Sequence, residues 1–378
     1  MRVARTKRPV RGAKLAAALC SLLVGLPALA LAATSPVAAP LDAGAEEPRL
    51  DCLPQRTGDL ASFLRGQRFA GTHNAQPGAG NMTTITRGSP RWMSGFNAVL
   101  AWQNDDCPAF SAFAEHMGYD AVELRDARSG SRHWVLTEKK GPFNGLFVLR
   151  APTERDAARP LVLVAPHRSA PQDVDPAVQV YLASGASALL VNSAHPCNLQ
   201  SCGGCIMEQS ALCGGCTRSS DAAASVDNLL FGLYSALVAT RRDVRVELDA
   251  LAGSVPLPAG CRGLAWLSQG PALPKTTTQA APVVAEALWH GLTERMGPAC
   301  ACWDERQPGC AKARPRVDTL YGRMGNEEPL RPFDPCGQQA TQRSGRYLHI
   351  ATRGVSPALL GAALSKAVPI PAPPARSK

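Results

Sequence analysis

Four short apolar runs mark the middle of the chain: Leu161 to Ala165, Ala188 to Asn192, Val244 to Leu248 and Gly263 to Leu267. Their length and β-branched content predict strands. Segments with helical spacing lie between or after them, at Pro176 to Ala183, Ala222 to Arg241, Pro282 to Met296 and Pro357 to Lys366. Strand alternating with helix predicts an α/β domain with a largely parallel central sheet, spanning residues 51–367. Within it, residues 51–120 are more weakly patterned and predict an N-terminal lobe packed on the sheet. The Ala- and Pro-rich residues 33–50 read as a linker, and residues 368–378 as a tail unable to fold.

The N-terminus carries a different pattern. Basic residues up to Lys14 precede an apolar run, Leu15 to Ala32, that closes on Ala28-Leu29-Ala30-Leu31-Ala32. Gly25, Pro27 and the alternating small residues predict a cleavable signal peptide over residues 1–32 rather than an anchor. The expectation is an exported protein, periplasmic or extracellular, with no membrane span after cleavage. Over 378 residues, 45% are hydrophobic and 19% charged, which excludes wholesale disorder and a multi-span membrane protein. The formal charge is +10, from 40 basic and 30 acidic residues; without the six basic residues of the leader the excess falls to +4. No stripe of Lys and Arg interleaved with aromatics follows, so nucleic acid is not an expected partner.

Cysteine usage agrees with export. Of 13 cysteines, Cys20 lies in the leader, leaving an even number. Cys197, Cys202, Cys205, Cys213 and Cys216 form a cysteine-rich insertion over residues 197–216, with two C-x-x-C pairs. Tight turns bearing two thiols each suit a structural zinc, a disulfide-braced loop or a redox pair, and an oxidising compartment favours disulfides.

In open parallel sheets, loops leaving the carboxyl ends of strands converge on one crevice. The first run leads into Pro166-His167-Arg168 with Asp173 and Asp175 following, the second into Asn192-Ser193-Ala194-His195, and the third ends at Glu247-Leu248-Asp249. Mixed imidazole and carboxylate ligation with an open position is how catalytic zinc acidifies a bound water. His167, Asp173 (or Asp175), His195 and Asp249 are therefore the candidate metal ligands. His290 and His349 fall in apolar periodic segments and read as packing residues.

The stretch Leu136-Thr137-Glu138 through Gly145 to Arg150, then Leu163 to His167, then Gly185 to His195, resembles a group of exported bacterial proteins with a Pro-His after a buried strand and a Gly/Ala-rich strand ending in His. That group is similar to zinc-dependent amidohydrolases of the N-formylglutamate amidohydrolase and poly-gamma-glutamate hydrolase kind. The resemblance runs from about Glu123 to Ser365 and implies a three-layer, phosphorylase/hydrolase-like fold. It further implies a zinc held by His167, an Asp of the next loop and a further His or acid, with Glu138 as general base. The chain departs from the group in having Asp249 and Ala224 where histidines are expected. It also has Pro196 where an Arg is expected, leaving Arg168 as the candidate to hold a substrate carboxylate. Separately, Gly71-Thr72-His73-Asn74 resembles the Gly-Thr-His of phosphatidylinositol-specific phospholipases C, with His116 or His133 as the possible partner.

The expected function is metal-dependent hydrolysis of an amide or peptide-like bond in a small-molecule or peptide-like substrate. The alternative is a non-catalytic, disulfide-braced envelope or secreted binding protein on a degenerate hydrolase fold.

Overall fold

The computed structural model describes residues 52–71, 82–141, 143–168, 170–199, 202, 205, 213, 215–251, 253–270, 283–303, 319–327, 334–338, 340 and 343–370. The expected signal peptide and linker, His73, most of the cysteine-rich insertion and the end of the tail lie outside them.

Ten strands form one sheet. In chain order they are β1 (Gln55–Gly58), β2 (Tyr119–Asp126), β3 (Arg132–Glu138), β4 (Leu146–Arg150), β5 (Arg159–Ala165), β6 (Ala186–Val191), β7 (Val244–Ala250), β8 (Leu264–Ser268), β9 (Ala301–Trp303) and β10 (Tyr347–Arg353). The helices are α1 (Leu60–Arg65), α2 (Pro90–Gln103), α3 (Cys107–Met117), α4 (Pro171–Ser184), α5 (Leu229–Thr240), α6 (Val283–Met296), α7 (Leu320–Asn326) and α8 (Pro357–Ala367). The strand order is β1-β2-β3-β4-β6-β5-β7-β10-β8-β9. The central strands β6, β5, β7 and β10 are mutually parallel, whereas β2, β3, β4 and β6 pair antiparallel in succession and β8 runs antiparallel to β10. The sheet is mixed, and its parallel part is the centre.

Two apolar clusters draw on alternate residues of the central strands. Leu161, Leu163 and Ala165 of β5 join Val246 and Leu248 of β7 and residues of α1, α4, α6 and α8 in one. Val162 and Val164 join residues of α2, α3, α5 and α7 in the other. This period-two division makes the strands read as continuous apolar runs, since both faces are covered.

Helix boundaries follow local chemistry. The expected start of α5 at Ala222 moves to Leu229, because Asn228 accepts a hydrogen bond from Phe231 N at 2.7 Å and residues before it form turns. α4 begins earlier than expected, with Pro171 where a missing N–H costs nothing, and ends at Gly185, whose φ of 67° is left-handed. Residues 52–120 contribute the edge strand β1 and helices α1 to α3, with Trp92 and Trp102 buried in the second cluster.

Five disulfides join pairs of described residues: Cys52–Cys107, Cys197–Cys213, Cys202–Cys216, Cys205–Cys336 and Cys261–Cys300. Every cysteine of the two C-x-x-C pairs is thereby bonded, none to the other member of its own pair. A thiolate zinc site on those cysteines is excluded in this state, since a disulfide sulfur is no longer a thiolate. Among the described residues no helix is long and apolar enough to cross a membrane.

Candidate functional site

The sheet reverses its winding between β5 and β7. From β5 the chain passes through α4 to β6 on one side; from β6 it passes through α5 to β7 on the other side of β5. α4 and α5 belong to different apolar clusters. The crevice at the carboxyl ends of β5 and β7 is thus a topological switch point, where open α/β sheets bind ligands.

His167 and Arg168 follow β5 directly, and Glu247 and Asp249 lie two apart on β7, pointing to one face. His349 of β10 is in register with Glu247 and shares that face. His167 Nε2 lies 4.0 Å from Glu247 Oε1, and His349 Nε2 lies 3.5 Å from Asp249 Oδ2. The Glu247 and His349 side chains are wholly buried. Among the described residues, His167 Nε2, Glu247 Oε1 and His349 Nδ1 are buried without a hydrogen bond, and His349 Nε2 faces only the Asp249 carboxylate. Such atoms cost about 1–3 kcal/mol each when left unpaired, so their clustering points to something that satisfies them.

The other oxygen of Glu247 is firmly held. Its Oε2 accepts from Tyr347 Oη and from Thr319 Oγ1, the latter at 2.6 Å. Thr319 also caps α7 by accepting from Gly322 N at 3.1 Å. Burial raises the Tyr347 pKa well above its ordinary value, and the neighbouring Glu247 adds to this, so its hydroxyl is a proton donor throughout the physiological range.

Burial alone would raise the Asp249 pKa, but His167 and His349 outweigh it and hold the carboxyl well below the usual range. Burial would lower the His349 pKa; Asp249 and Glu247 reverse that and raise it. Arg168 donates from Nη2 to the Asp249 carbonyl at 3.4 Å, while its Nε is buried and unpaired.

The structure brings together His167, Arg168 and Asp249 of the expected residues. Among the described residues, no hydrogen bond or ion pair links Asp173 or His195 to His167 or Asp249. Asp173 sits in the first turn of α4, where its charge acts on Arg168, and Asp175 pairs with Arg65 at 2.7 Å. His195 is bound into its loop: its N–H donates to Ala70 O at 2.8 Å and its Nδ1 accepts from Cys197 N at 3.1 Å. Burial lowers its pKa. Glu138 closes the turn between β3 and β4. It accepts from Tyr119 Oη at 2.8 Å, Phe143 N at 2.7 Å, Gly145 N at 3.2 Å and Asn144 N. Burial raises its pKa against those bonds. The oxygens of Glu138 thus hold the β3–β4 turn, and no hydrogen bond or ion pair among the described residues links it to His167 or Asp249.

His349, expected as a packing residue, lies wholly buried beside Glu247 with its Nε2 3.5 Å from Asp249 Oδ2. The signal for it is the alternation within Tyr347-Leu348-His349-Ile350, which places the polar residues on one face. Its pairing with Glu247, across 102 positions of sequence, is set only by the register of β10 on β7.

Two imidazoles and two carboxylates, several with orphaned atoms, are donor types that suit a divalent metal. Among the described residues no group of three or more His, Cys, Asp or Glu side chains is drawn to ligand spacing. The fit rests on donor chemistry and the orphaned atoms. Compared with protein-family models, curated proteins and solved structures, the chain matches none.

Proposed function

We propose that the protein is an exported, metal-dependent hydrolase of an amide or peptide-like bond, working at the switch point between β5 and β7. The observation that carries this reading is the set of buried, unpaired atoms on His167, Glu247 and His349 gathered beside Asp249.

In this reading His167, His349 and Asp249 hold the metal, zinc by donor type, as two imidazoles and a carboxylate do in several catalytic centres. The metal, when bound, supplies an acidified water. Glu247 takes over the task expected of Glu138: Tyr347 and Thr319 fix one oxygen, leaving Oε1 presented to accept a proton. Arg168, beside Asp249, holds a substrate carboxylate through its planar, permanently charged group.

Disulfides persist in oxidising compartments, which supports export. The two apolar clusters on alternate strand residues support a three-layer, hydrolase-like architecture. The test is hydrolysis of N-acyl amino acids and short peptides by the wild type and by His167→Ala and Glu247→Gln variants. Both variants are expected to lose at least about 10²-fold in kcat with an unchanged circular dichroism spectrum. Turnover that survives both substitutions overturns the reading.

A further inference from the structure

α7 is preceded by Thr319, whose hydroxyl donates to Glu247 Oε2 at 2.6 Å and accepts from Gly322 N at 3.1 Å. The far end of the helix is fixed to the sheet side: Asn326 Nδ2 donates to Gln269 O at 2.8 Å, and Arg245 Nη1 of β7 donates to Gly325 O at 3.3 Å. The near end is held differently. Leu320 N donates to Ala223 O at 3.0 Å, and Cys205 N donates to the next carbonyl, that of Ala224, at 2.6 Å. Cys205 is bonded to Cys336, and the carbonyl of neighbouring Pro335 accepts from Arg323 Nη1 of α7 at 3.0 Å. The path from Leu320 through Ala223, Ala224, Cys205, Cys336 and Pro335 thus returns to α7 at Arg323, a ring closed by one disulfide between residues 131 positions apart. Both cysteines are half-buried at the margin of the second apolar cluster, where a thiol can reach them.

We infer that the Cys205–Cys336 disulfide is a clamp that positions Glu247 through α7 and Thr319, so that the site is assembled in the oxidised chain and loosened in the reduced one. The inference rests on the hydrolase reading for its effect on turnover, and deepens it by naming a redox control of the same site. Oxidation joins the two thiols in an S–S bond and releases two protons and two electrons; a protein or small-molecule disulfide takes them up and becomes two thiols. With the ring open, the first turn of α7 loses its covalent restraint while its far end stays on the sheet. A displacement of the Thr319 hydroxyl by about 1 Å then turns the Glu247 carboxylate out of its fixed orientation, an error that costs active sites up to about 10²-fold. A chain reduced before export and oxidised after it carries a competent site only once exported.

The experiment follows amide hydrogen exchange at Leu320 and Gly322, whose N–H groups bond Ala223 O and Thr319 Oγ1, in the wild type, in Cys205→Ser/Cys336→Ser and, as a control, in Cys202→Ser/Cys216→Ser. The clamp predicts exchange at least about tenfold faster in the first variant and unchanged in the control. Arg323→Gln opens the ring with the disulfide intact; it is expected to do the same, and it decides the matter where the double variant fails to fold. In the wild type titrated with dithiothreitol, with thiols alkylated and located by mass spectrometry, faster exchange is expected to accompany reduction of Cys205–Cys336. On substrate, the open ring lowers kcat at least about tenfold with KM within about twofold, Thr319→Val does likewise and Thr319→Ser retains turnover. Thr319→Val combined with the open ring loses no more than either alone, because both act on the same carboxylate. Unchanged exchange in both open-ring variants, or losses of kcat that multiply, overturns the clamp while leaving the hydrolase intact. Where nothing is hydrolysed, the hydrolase reading fails and exchange decides the clamp: faster exchange upholds it, and unchanged exchange overturns it.

Discussion

Glu247 Oε1 and His167 Nε2 face each other at 4.0 Å across the ends of β7 and β5, both buried and neither hydrogen-bonded among the described residues. A folded chain tolerates such a pair only where their task outweighs their cost. Tyr347 and Thr319 satisfy one Glu247 oxygen and leave the other presented. Under the proposed function this arrangement would trade stability for chemistry, as active sites commonly do.

Glu247→Gln tests that trade. A buried carboxylate whose Oε2 accepts from two neutral hydroxyls carries a desolvation cost, which His167, 4.0 Å from Oε1, offsets in part and which the amide avoids at nearly equal volume. Urea denaturation is expected to show stability unchanged or raised by about 1 kcal/mol, while hydrolysis falls at least about 10²-fold. A variant that unfolds while the residual folded fraction keeps full turnover contradicts the assignment.

Gly325 of α7 supports the same residues from behind. A Cβ there would meet Tyr234 Oη at 2.6 Å and Tyr347 Cδ2 at 2.8 Å. Helix propensity favours Ala over Gly by about 1 kcal/mol, but overpacking a filled interior costs about 1–3 kcal/mol. Gly325→Ala is therefore expected to lose stability by about 1 kcal/mol in denaturant titration and to slow hydrolysis by moving Tyr347. A gain in stability would show that the Tyr234–Tyr347 packing yields freely.

The disulfides differ in the chain they close. Cys205–Cys336 spans 131 positions and Cys202–Cys216 spans 14. Loop-closure entropy gives about 5 kcal/mol for the first and about 3 kcal/mol for the second. The Cys205→Ser/Cys336→Ser double variant is expected to lower stability more than Cys202→Ser/Cys216→Ser, as measured by urea unfolding without reductant. The reverse order would place the long bridge under strain that offsets its entropic gain.

His133 is buried between Ser131 Oγ at 2.8 Å and Tyr181 Oη at 2.9 Å. Burial, and then the charge of Arg150, push its pKa down to about 3. The unfolded chain takes up this proton near pH 6.5 and the folded chain does not. Its stabilising contribution is therefore complete above about pH 6.5 and declines as pH falls toward 3, with a limiting slope of about 1.4 kcal/mol per unit. Between pH 7 and pH 4.5 the wild type is expected to lose about 2 kcal/mol more than His133→Gln. Equal losses would mean that His133 titrates normally.

The parallel centre of the fold is legible because β5 and β6, covered on both faces, read as near-continuous apolar runs, and β7 alternates Val244, Val246 and Leu248 with Arg245 and Glu247. β2 and β3 escape the same reading, since Glu123, Arg132 and Glu138 interrupt them and are paired or hydrogen-bonded only once the sheet is formed. α7 is hidden by Gly322 and Gly325, which lower its propensity while allowing close packing on the tyrosines. At the site, His167, Arg168 and Asp249 follow from their places at strand ends. Asp173 and His195 have equally suitable places, but Asp173 lies in the first turn of α4 beside Arg168 and His195 is bonded into its own loop. His349, Tyr347 and Thr319 become visible only through long-range register, which no local pattern encodes.

Elemental metal analysis of the purified, oxidised protein, beside His167→Ala and Asp249→Asn variants, tests the central claim most directly. About one divalent metal per chain in the wild type, lost in both variants while Asp173→Asn retains it, is the result expected. A wild type without metal, or metal that survives loss of His167 and Asp249, would contradict the site.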